Sequence, residues 1–291
     1  MQELRALAAR AGNRRTETGI ARVAMVQGEV PEHLLSAVYD PMVNLILTGS
    51  KTMTVGDRTF HYNPATYFVM SVDLPAVGSV HPAATGEPYL AVSLTLDPVI
   101  VAALIRDLPV QVCSTLFGSG FSVAPVNEEL LDAWVRMLRL IEHPDEIAVL
   151  APAYEREILF RVLQGPLGWM LRDIASPDTA LSRIGVAIDW IRRNFTEQIR
   201  VEALAEMAAF SVSAFHRHFK AVTALSPLQY QKRIRLLHAR SQLLSGQGSA
   251  TSIAFSVGYE SPNQFSREYT RMFGLPPSRD LMKATQELRG R

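Results

Sequence analysis

The spacing of apolar residues divides the chain into a front part that predicts strands and a back part that predicts helices. Between residues 19 and 96, short apolar runs are separated by Gly, Pro, Asn and Asp, which is typical of strands joined by tight turns. One such run is 88–96, and Val55-Gly56-Asp57 predicts a hairpin turn because glycine tolerates a positive φ. We therefore expect a small β-sandwich or barrel here.

After Asp97 the apolar spacing becomes helical. Helices are predicted over 99–108, 127–142 and 153–164, with Asn127 as the N-cap of the second. The apolar stripe of the helix over 127–142 suits either packing on the strands or a partner helix. From residue 180 onwards, almost the whole chain predicts helices separated by short polar turns.

The helical back part contains an internal repeat at an offset of 50 residues. The sequence at 211–227 matches 261–277, and the residues just upstream match in the same way. Each copy predicts a short helix, a turn with a small residue (Ala208 or Gly258) and a second helix, which is the helix-turn-helix layout. A helix over 229–246 is expected to join the copies.

The second helix of each copy has an aromatic face, expected to pack on the first helix, and a polar face with one arginine. Arginine contacts guanine in a major groove, and Asn or Gln contacts adenine. A single helix of this kind is typical of any protein surface, but two copies with matching arginines favour a role in reading DNA. The candidate DNA-reading residues are Ser213, His216, Arg217, Lys220, Asn263, Gln264, Ser266 and Arg267. The candidate phosphate contacts are Lys232, Arg233 and Arg235, with Arg192 and Arg193.

Charge is unevenly spread along the chain. The total of 29 Lys+Arg against 28 Asp+Glu gives a net charge of +1, which by itself argues against a nucleic-acid binder. However, residues 1–179 hold 13 basic and 20 acidic side chains, whereas residues 180–291 hold 16 and 8. The back part therefore carries the basic excess that DNA binding needs.

The repeat and its joining helix resemble the AraC/XylS type of transcriptional regulator over residues 184–280. The resemblance is carried by RLLHARSQLL (235–244), by SIAFSVGYESPNQFSREYTRMFG (252–274) and by Pro276-Pro277. It implies two helix-turn-helix units joined by a long helix. The family's recognition positions fall on Ser213, His216 and Arg217, then on Asn263, Gln264 and Arg267.

The front part resembles the AraC-type N-terminal sensor domain over 39–75, 88–98 and 155–166. The two resemblances together imply an α+β chain. A cupin-like β-barrel with flanking helices at 1–178 would bind a small effector and dimerise, and an all-α DNA-binding domain would follow at 179–291. The implied partners are double-stranded promoter DNA, RNA polymerase, a small-molecule effector and a second copy of the chain, with no cofactor.

The barrel interior predicts the effector pocket. Its candidate lining residues are Tyr39, Lys51, Tyr62, Tyr67 and Tyr89, together with Leu45 and Met70. Each of them also suits core packing, and Lys51, which follows Gly-Ser in a predicted hairpin, also suits a solvated lysine. The single cysteine, Cys113, excludes an internal disulfide and suits either a small buried hydrophobe or a sensor of aldehydes or oxidants.

A cupin-type enzyme is the rival hypothesis from another class. Metal-binding cupins use a His-x-His pair. In this sequence His33, His61, His81 and His143 are widely separated, so no metal is predicted. No phosphate-binding loop or nucleophile elbow is present. The first 15 residues lack the apolar core of a signal peptide, and no apolar run reaches the about 20 residues of a membrane helix. The expectation is a cytoplasmic regulator, not an enzyme.

Overall fold

The computed structural model describes residues 1–12, 14–28, 34–108, 119–176 and 178–282. The chain divides into two compact units, one of residues 1–185 with 217–224 and the other of residues 186–216 with 225–291. The boundary between residues 178 and 179 stays a prediction.

The described part of the first unit contains ten strands. They are β1 (Arg14–Glu17), β2 (Val23–Gly28), β3 (Leu34–Tyr39), β4 (Met42–Thr48), β5 (Ser50–Val55), β6 (Arg58–Tyr62), β7 (Thr66–Met70), β8 (Leu74–His81), β9 (Tyr89–Thr95) and β10 (Phe121–Pro125). A six-stranded sheet has the order β1-β2-β9-β4-β7-β10, and a four-stranded sheet has the order β3-β8-β5-β6. Every pairing is antiparallel.

The two sheets face each other as a sandwich. Phe60 of β6 packs on Phe121 of β10 with ring centroids 4.6 Å apart, and Tyr62 packs on Phe68 at 5.1 Å. The α+β class is confirmed, but the ladders of the described strands do not close the sheets into the expected barrel. The predicted hairpin is present, because Gly56 adopts a φ of 64° between β5 and β6.

Five helices cover the outer face of the larger sheet. They are α1 (Gln2–Ala8), α2 (Pro98–Arg106), α3 (Glu128–Arg139), α4 (Ile147–Gln164) and α5 (Gly168–Ala175). The Asn127 side chain accepts a hydrogen bond from Leu130 N at 3.0 Å, as predicted for the N-cap of α3. The helix predicted from residue 153 begins earlier, at Ile147, and contains Pro152.

The apolar stripe of α3 packs inside its own unit. Leu130, Trp134 and Met137 belong to one core with Val43 and Val92 of the larger sheet. Of the two predicted roles for this stripe, packing on the strands is therefore confirmed.

Six further helices follow in the part of the chain that the structure describes. They are α6 (Ala180–Arg193), α7 (Val201–Met207), α8 (Val212–Thr223), α9 (Pro227–Leu244), α10 (Ala250–Ser256) and α11 (Pro262–Phe273), after which residues 277–282 are also helical. The joining helix α9 starts two residues before its predicted start, because Ser226 and Gln229 form a capping box. None of the described helices is both long and apolar enough to span a bilayer.

A largely buried ion pair ties the larger sheet to α4. Arg22, just before β2, donates through Nε to Glu155 Oε1 at 2.9 Å and through Nη2 to the other carboxylate oxygen. Glu155 is only 5% exposed. The hydrogen bond to its carboxylate raises the pKa of Arg22.

We expect Glu155→Ala to destabilise the protein by about 2–4 kcal/mol, because it leaves the partly buried Arg22 guanidinium without its acceptors. Calorimetry should show this as a lower temperature for the thermal transition of the first unit. The control is Glu17→Ala, which breaks the exposed pair with Arg15 and should change little. Equal losses in the two variants would contradict this role of Glu155.

Candidate functional site

Two helix-turn-helix units follow one another in the back part. α7 and α10 are related by 49 residues, whereas α8 and α11 are related by 50, so the second turn is one residue longer. The turn is left-handed at Ala209, with a φ of 52°, and at Gly258, with a φ of 87°. The sequence predicts a small residue in each turn, and Ala208 lies in the first turn as the C-cap of α7, although the left-handed residue there is the next one, Ala209.

Gly258 has a second requirement besides its backbone conformation. A Cβ atom at this position would lie 2.3 Å from the carbonyl oxygen of Thr196. The second turn therefore packs directly against the segment that follows α6, and glycine is the residue that fits there.

The polar faces of α8 and α11 are open to solvent as the sequence predicts. Ser266 is half-buried, and the other candidate DNA-reading residues are all exposed: Ser213, His216, Arg217, Lys220, Asn263, Gln264 and Arg267. Their contact with DNA stays a prediction. The opposite face of α11 is buried, since Phe265 and Tyr269 share a core with Ile253 and Ala254 of α10. The predicted packing of the second copy is therefore confirmed.

Arg235 of α9 points inward and holds backbone segments together. Its guanidinium donates to the carbonyl oxygens of Phe195 (2.6 Å), Thr196 (3.1 Å), Glu197 (2.9 Å) and Gly258 (2.7 Å). Burial lowers the pKa of this guanidinium. Because these donors are engaged within the unit, Arg235 holds the second turn in place, and its contact with a DNA phosphate stays a prediction.

Lys232, another candidate phosphate contact, is paired with an acidic residue of α11. Its Nζ lies 2.8 Å from Glu268 Oε1, and Glu268 also accepts hydrogen bonds from Tyr259 (2.8 Å) and Gln264 (3.3 Å). Burial acts to raise the pKa of Glu268, but these hydrogen bonds outweigh it and lower the pKa. The network fixes α11 against α9. The third candidate, Arg233, is half-buried, and burial lowers its pKa.

A second network is one that the sequence reasoning missed. Arg240 of α9 donates to both carboxylate oxygens of Asp280, at 2.8 and 3.2 Å, and the Tyr269 hydroxyl donates to the same carboxylate at 2.7 Å. For Arg235, the sequence did contain a signal of its inward direction. It lies four residues from the buried Gln231 and four from the buried Ala239, and residues four apart share one face of a helix. No comparable spacing pointed to Asp280, because its partners lie far away in sequence.

Most of the residues predicted to line the effector pocket lie in the interior of the sandwich. Tyr39, Lys51, Tyr62 and Tyr89 lie on strand faces directed between the two sheets. Lys51 is only 7% exposed, so its interpretation as a solvated lysine is wrong. Cys113 lies outside the described residues.

Tyr67 and Leu45 do not belong to this interior. Both lie on the opposite face of the larger sheet, in the core shared with the helices. The Tyr67 hydroxyl approaches Gly165, just after α4, and burial raises its pKa to about 12. Neither side chain lines the space between the sheets, because neighbouring positions on a strand point to opposite faces.

His61 and His81 of the sandwich lie at hydrogen-bond distance from hydroxyl groups. His61 Nδ1 lies 3.0 Å from Thr52 Oγ1, and His81 Nε2 lies 2.9 Å from Ser79 Oγ. Within the described residues, no three His, Cys, Asp or Glu side chains come close enough to hold a metal ion.

Two family models match the chain, one in each half. The model for the AraC-type transcriptional regulator N-terminus matches residues 19–170, and a model for a helix-turn-helix domain matches residues 204–282. The chain belongs to the AraC-type transcriptional regulators. The resemblance predicted from the sequence is confirmed.

Individual relatives agree with this family. The chain is similar to the HTH-type transcriptional activator RhaS of Escherichia coli O1:K1 / APEC, at 30% identity over 159 residues, 54% of this chain and 55% of RhaS. It is also similar to RhaS of Escherichia fergusonii, at 36% identity over 179 residues, 61% of this chain and 62% of RhaS. The chain thus spans less than two thirds of the length of these relatives.

Among solved structures, the fold is similar to ToxT of Vibrio cholerae. An apo form of a ToxT variant superposes with a TM-score of 0.59 at 11% identity and covers 89% of this chain and 96% of ToxT. ToxT bound to an unsaturated fatty acid gives a TM-score of 0.56 at 12% identity, covering 85% and 89%. At these identities the likeness concerns the fold alone.

We expect Arg235→Lys to destabilise the second unit by about 2–3 kcal/mol, because lysine keeps the charge but cannot supply the same planar set of donors. Thermal unfolding followed by circular dichroism, with and without DNA, tests this. A phosphate contact would tolerate lysine, so an unchanged midpoint would favour a phosphate contact for Arg235. Arg193→Lys, in an exposed pair with Asp189, is the matched control.

Proposed function

We propose that this chain is a sequence-specific DNA-binding transcriptional regulator that responds to a small-molecule effector. The observation that carries the proposal is the pair of helix-turn-helix units whose second helices expose the predicted reading residues, within a chain of the AraC-type regulator family. The basic excess of residues 180–291 supports the same function.

The exposed groups suit direct readout in the major groove. Arg217 and Arg267 stand at matching positions of α8 and α11, and each can donate two hydrogen bonds to O6 and N7 of guanine. Asn263 and Gln264 offer amides that suit adenine. Ser213 and His216 are weaker base readers, so the first copy contributes more to position and the second more to discrimination.

Two such helices are suited to successive major grooves, which lie about 34 Å apart on one face of DNA. Lys220 and the backbone N–H groups at helix N-termini supply contacts to phosphates. The regulator acts in the cytoplasm as a homodimer, which doubles these contacts. Effector binding in the first unit changes the placement of the DNA-binding units and thereby the recruitment of RNA polymerase.

The named relatives support this assignment by analogy. RhaS is a transcriptional activator by its name, and one ToxT structure holds an unsaturated fatty acid. The interior of the sandwich, with Tyr39, Lys51, Tyr62 and Tyr89, is the effector site that we propose for this chain. The relatives are regulators, and we propose no enzymatic activity.

We expect Arg267→Ala and Lys220→Ala to weaken DNA binding in different ways. Arg267→Ala should cost about 1–3 kcal/mol on the preferred site and relax the preference at one base pair. Lys220→Ala should weaken binding to all sequences alike and lower the dependence of log K on log salt by about 0.9. Sequencing of DNA fragments selected by the purified protein and its variants measures both effects. If Arg267→Ala selects the same sequences with the parent's affinity, the assignment of α11 is wrong.

A further inference from the structure

The interior of the sandwich contains a cation that the described fold does not neutralise. Lys51 projects from β5 between the two sheets, where its Nζ lies 4.6 Å from the ring centroid of Tyr39 and 5.9 Å from that of Phe68. Rings placed in this way attract an ammonium group by their quadrupole, but they carry no net charge. Among the described residues, no carboxylate forms an ion pair with Lys51.

The ammonium form nevertheless persists near neutral pH. Burial lowers the pKa of Lys51 to about 8, and no charged group of the described residues contributes to the shift. At pH 7 the side chain is therefore still mostly protonated. A buried charge without a counter-ion destabilises a fold, so its presence calls for a function or a partner.

Two further polar groups in the same interior lack a hydrogen-bond partner among the residues that the structure describes. Tyr62, directly opposite Lys51 in the β5–β6 register, is 4% exposed, and its hydroxyl is one of them. Asn44 of β4, also 4% exposed, has an unpaired Oδ1 atom. Buried polar groups are nearly always hydrogen-bonded, so unpaired ones that share an interior with a buried cation point to a ligand there.

The surrounding side chains specify the rest of such a ligand. Met53 and Phe68 are fully buried on the interior faces, and Phe68 packs on Phe121 with ring centroids 5.1 Å apart. The walls are therefore apolar and aromatic, while the polar groups are few and local. This combination suits a molecule with one charged end and an apolar body.

We infer that the effector is an organic acid whose carboxylate pairs with Lys51 Nζ and accepts a hydrogen bond from the Tyr62 hydroxyl. The inference rests on the proposed function, because it assumes that the first unit is the effector-binding part of a regulator. Its apolar body would lie against Phe68 and Met53. Asn44 Oδ1, an acceptor, would take a hydrogen bond from a donor group elsewhere on the ligand.

The test uses the full-length chain and matched pairs of probes at pH 7. Benzoate and a series of straight-chain carboxylates from acetate to dodecanoate are titrated by calorimetry against the corresponding neutral amides. We expect at least one acid of the series to bind ten-fold or more tightly than its amide. If no acid binds more tightly than its amide, the inference is overturned.

Lys51→Met separates a binding role from a structural one. Methionine keeps an unbranched apolar side chain and removes the charge, so this variant should lose the preference for the acid and unfold at a higher temperature than the ligand-free parent. The control is Thr52→Met, because Thr52 lies next in sequence on the outward face of β5 and should leave the preference unchanged. Retention of the full preference in Lys51→Met would overturn the inference.

A readout on DNA keeps the two proposals apart. If the parent binds selected DNA fragments but shows no preference for acids, the effector class is wrong and the proposed function stands. If the parent binds no DNA in a sequence-dependent way, the proposed function itself fails. Lys51→Arg keeps the charge and should preserve the preference for acids over amides. This result would show that the charge of the side chain, not its volume, sets that preference.

Discussion

The larger sheet of the first unit has to bury both of its faces, and this constraint decides where its side chains go. Because successive residues on a strand point to opposite faces, Val43 and Leu45 of β4 enter the core beneath the helices, while Asn44 between them faces the second sheet. On β9, Leu90 joins the helix-facing core and Tyr89 faces the interior. One layer of strands therefore separates an apolar core that anchors helices from an interior that contains polar groups.

The second unit solves a different problem, which is how to hold short helices in a fixed orientation. α10 has seven residues, too few to be stable alone, and its packing against α11 and the apolar face of α9 provides only a small core. The long helix α9 supplies the remainder through Arg235 at the second turn, Lys232 at Glu268 and Arg240 at Asp280. The basic side chains of α9 thus position α11 as much as they add charge.

Periodicity and repeats predicted the elements and the two helix-turn-helix units because both are local properties of the chain. The direction of individual side chains was harder to predict. Tyr67 and Tyr62 look alike in sequence, yet they point to different cores, because Tyr67 lies on the helix-facing side of β7, whereas its neighbour Phe68 packs on Tyr62 between the sheets. Lys51 follows a glycine turn and resembles a solvated residue, but the turn at Gly49 returns the chain straight into the sandwich. Burial of this kind depends on the order of strands in the sheets, which is set by long-range pairing and cannot be predicted from local sequence.

Buried polar groups among the described residues differ in whether the fold provides hydrogen-bond partners for them. Asp280 and Arg235 are surrounded by partners at hydrogen-bond distance, so each stabilises the unit that contains it. Tyr62 and Asn44 have polar atoms that the described fold leaves without hydrogen-bond partners, and Lys51 Nζ lies against the ring of Tyr39. A fold selected only for stability would replace them with apolar residues of similar size, which pack without loss. Their presence inside an otherwise apolar sandwich is the physical argument for the proposed effector site.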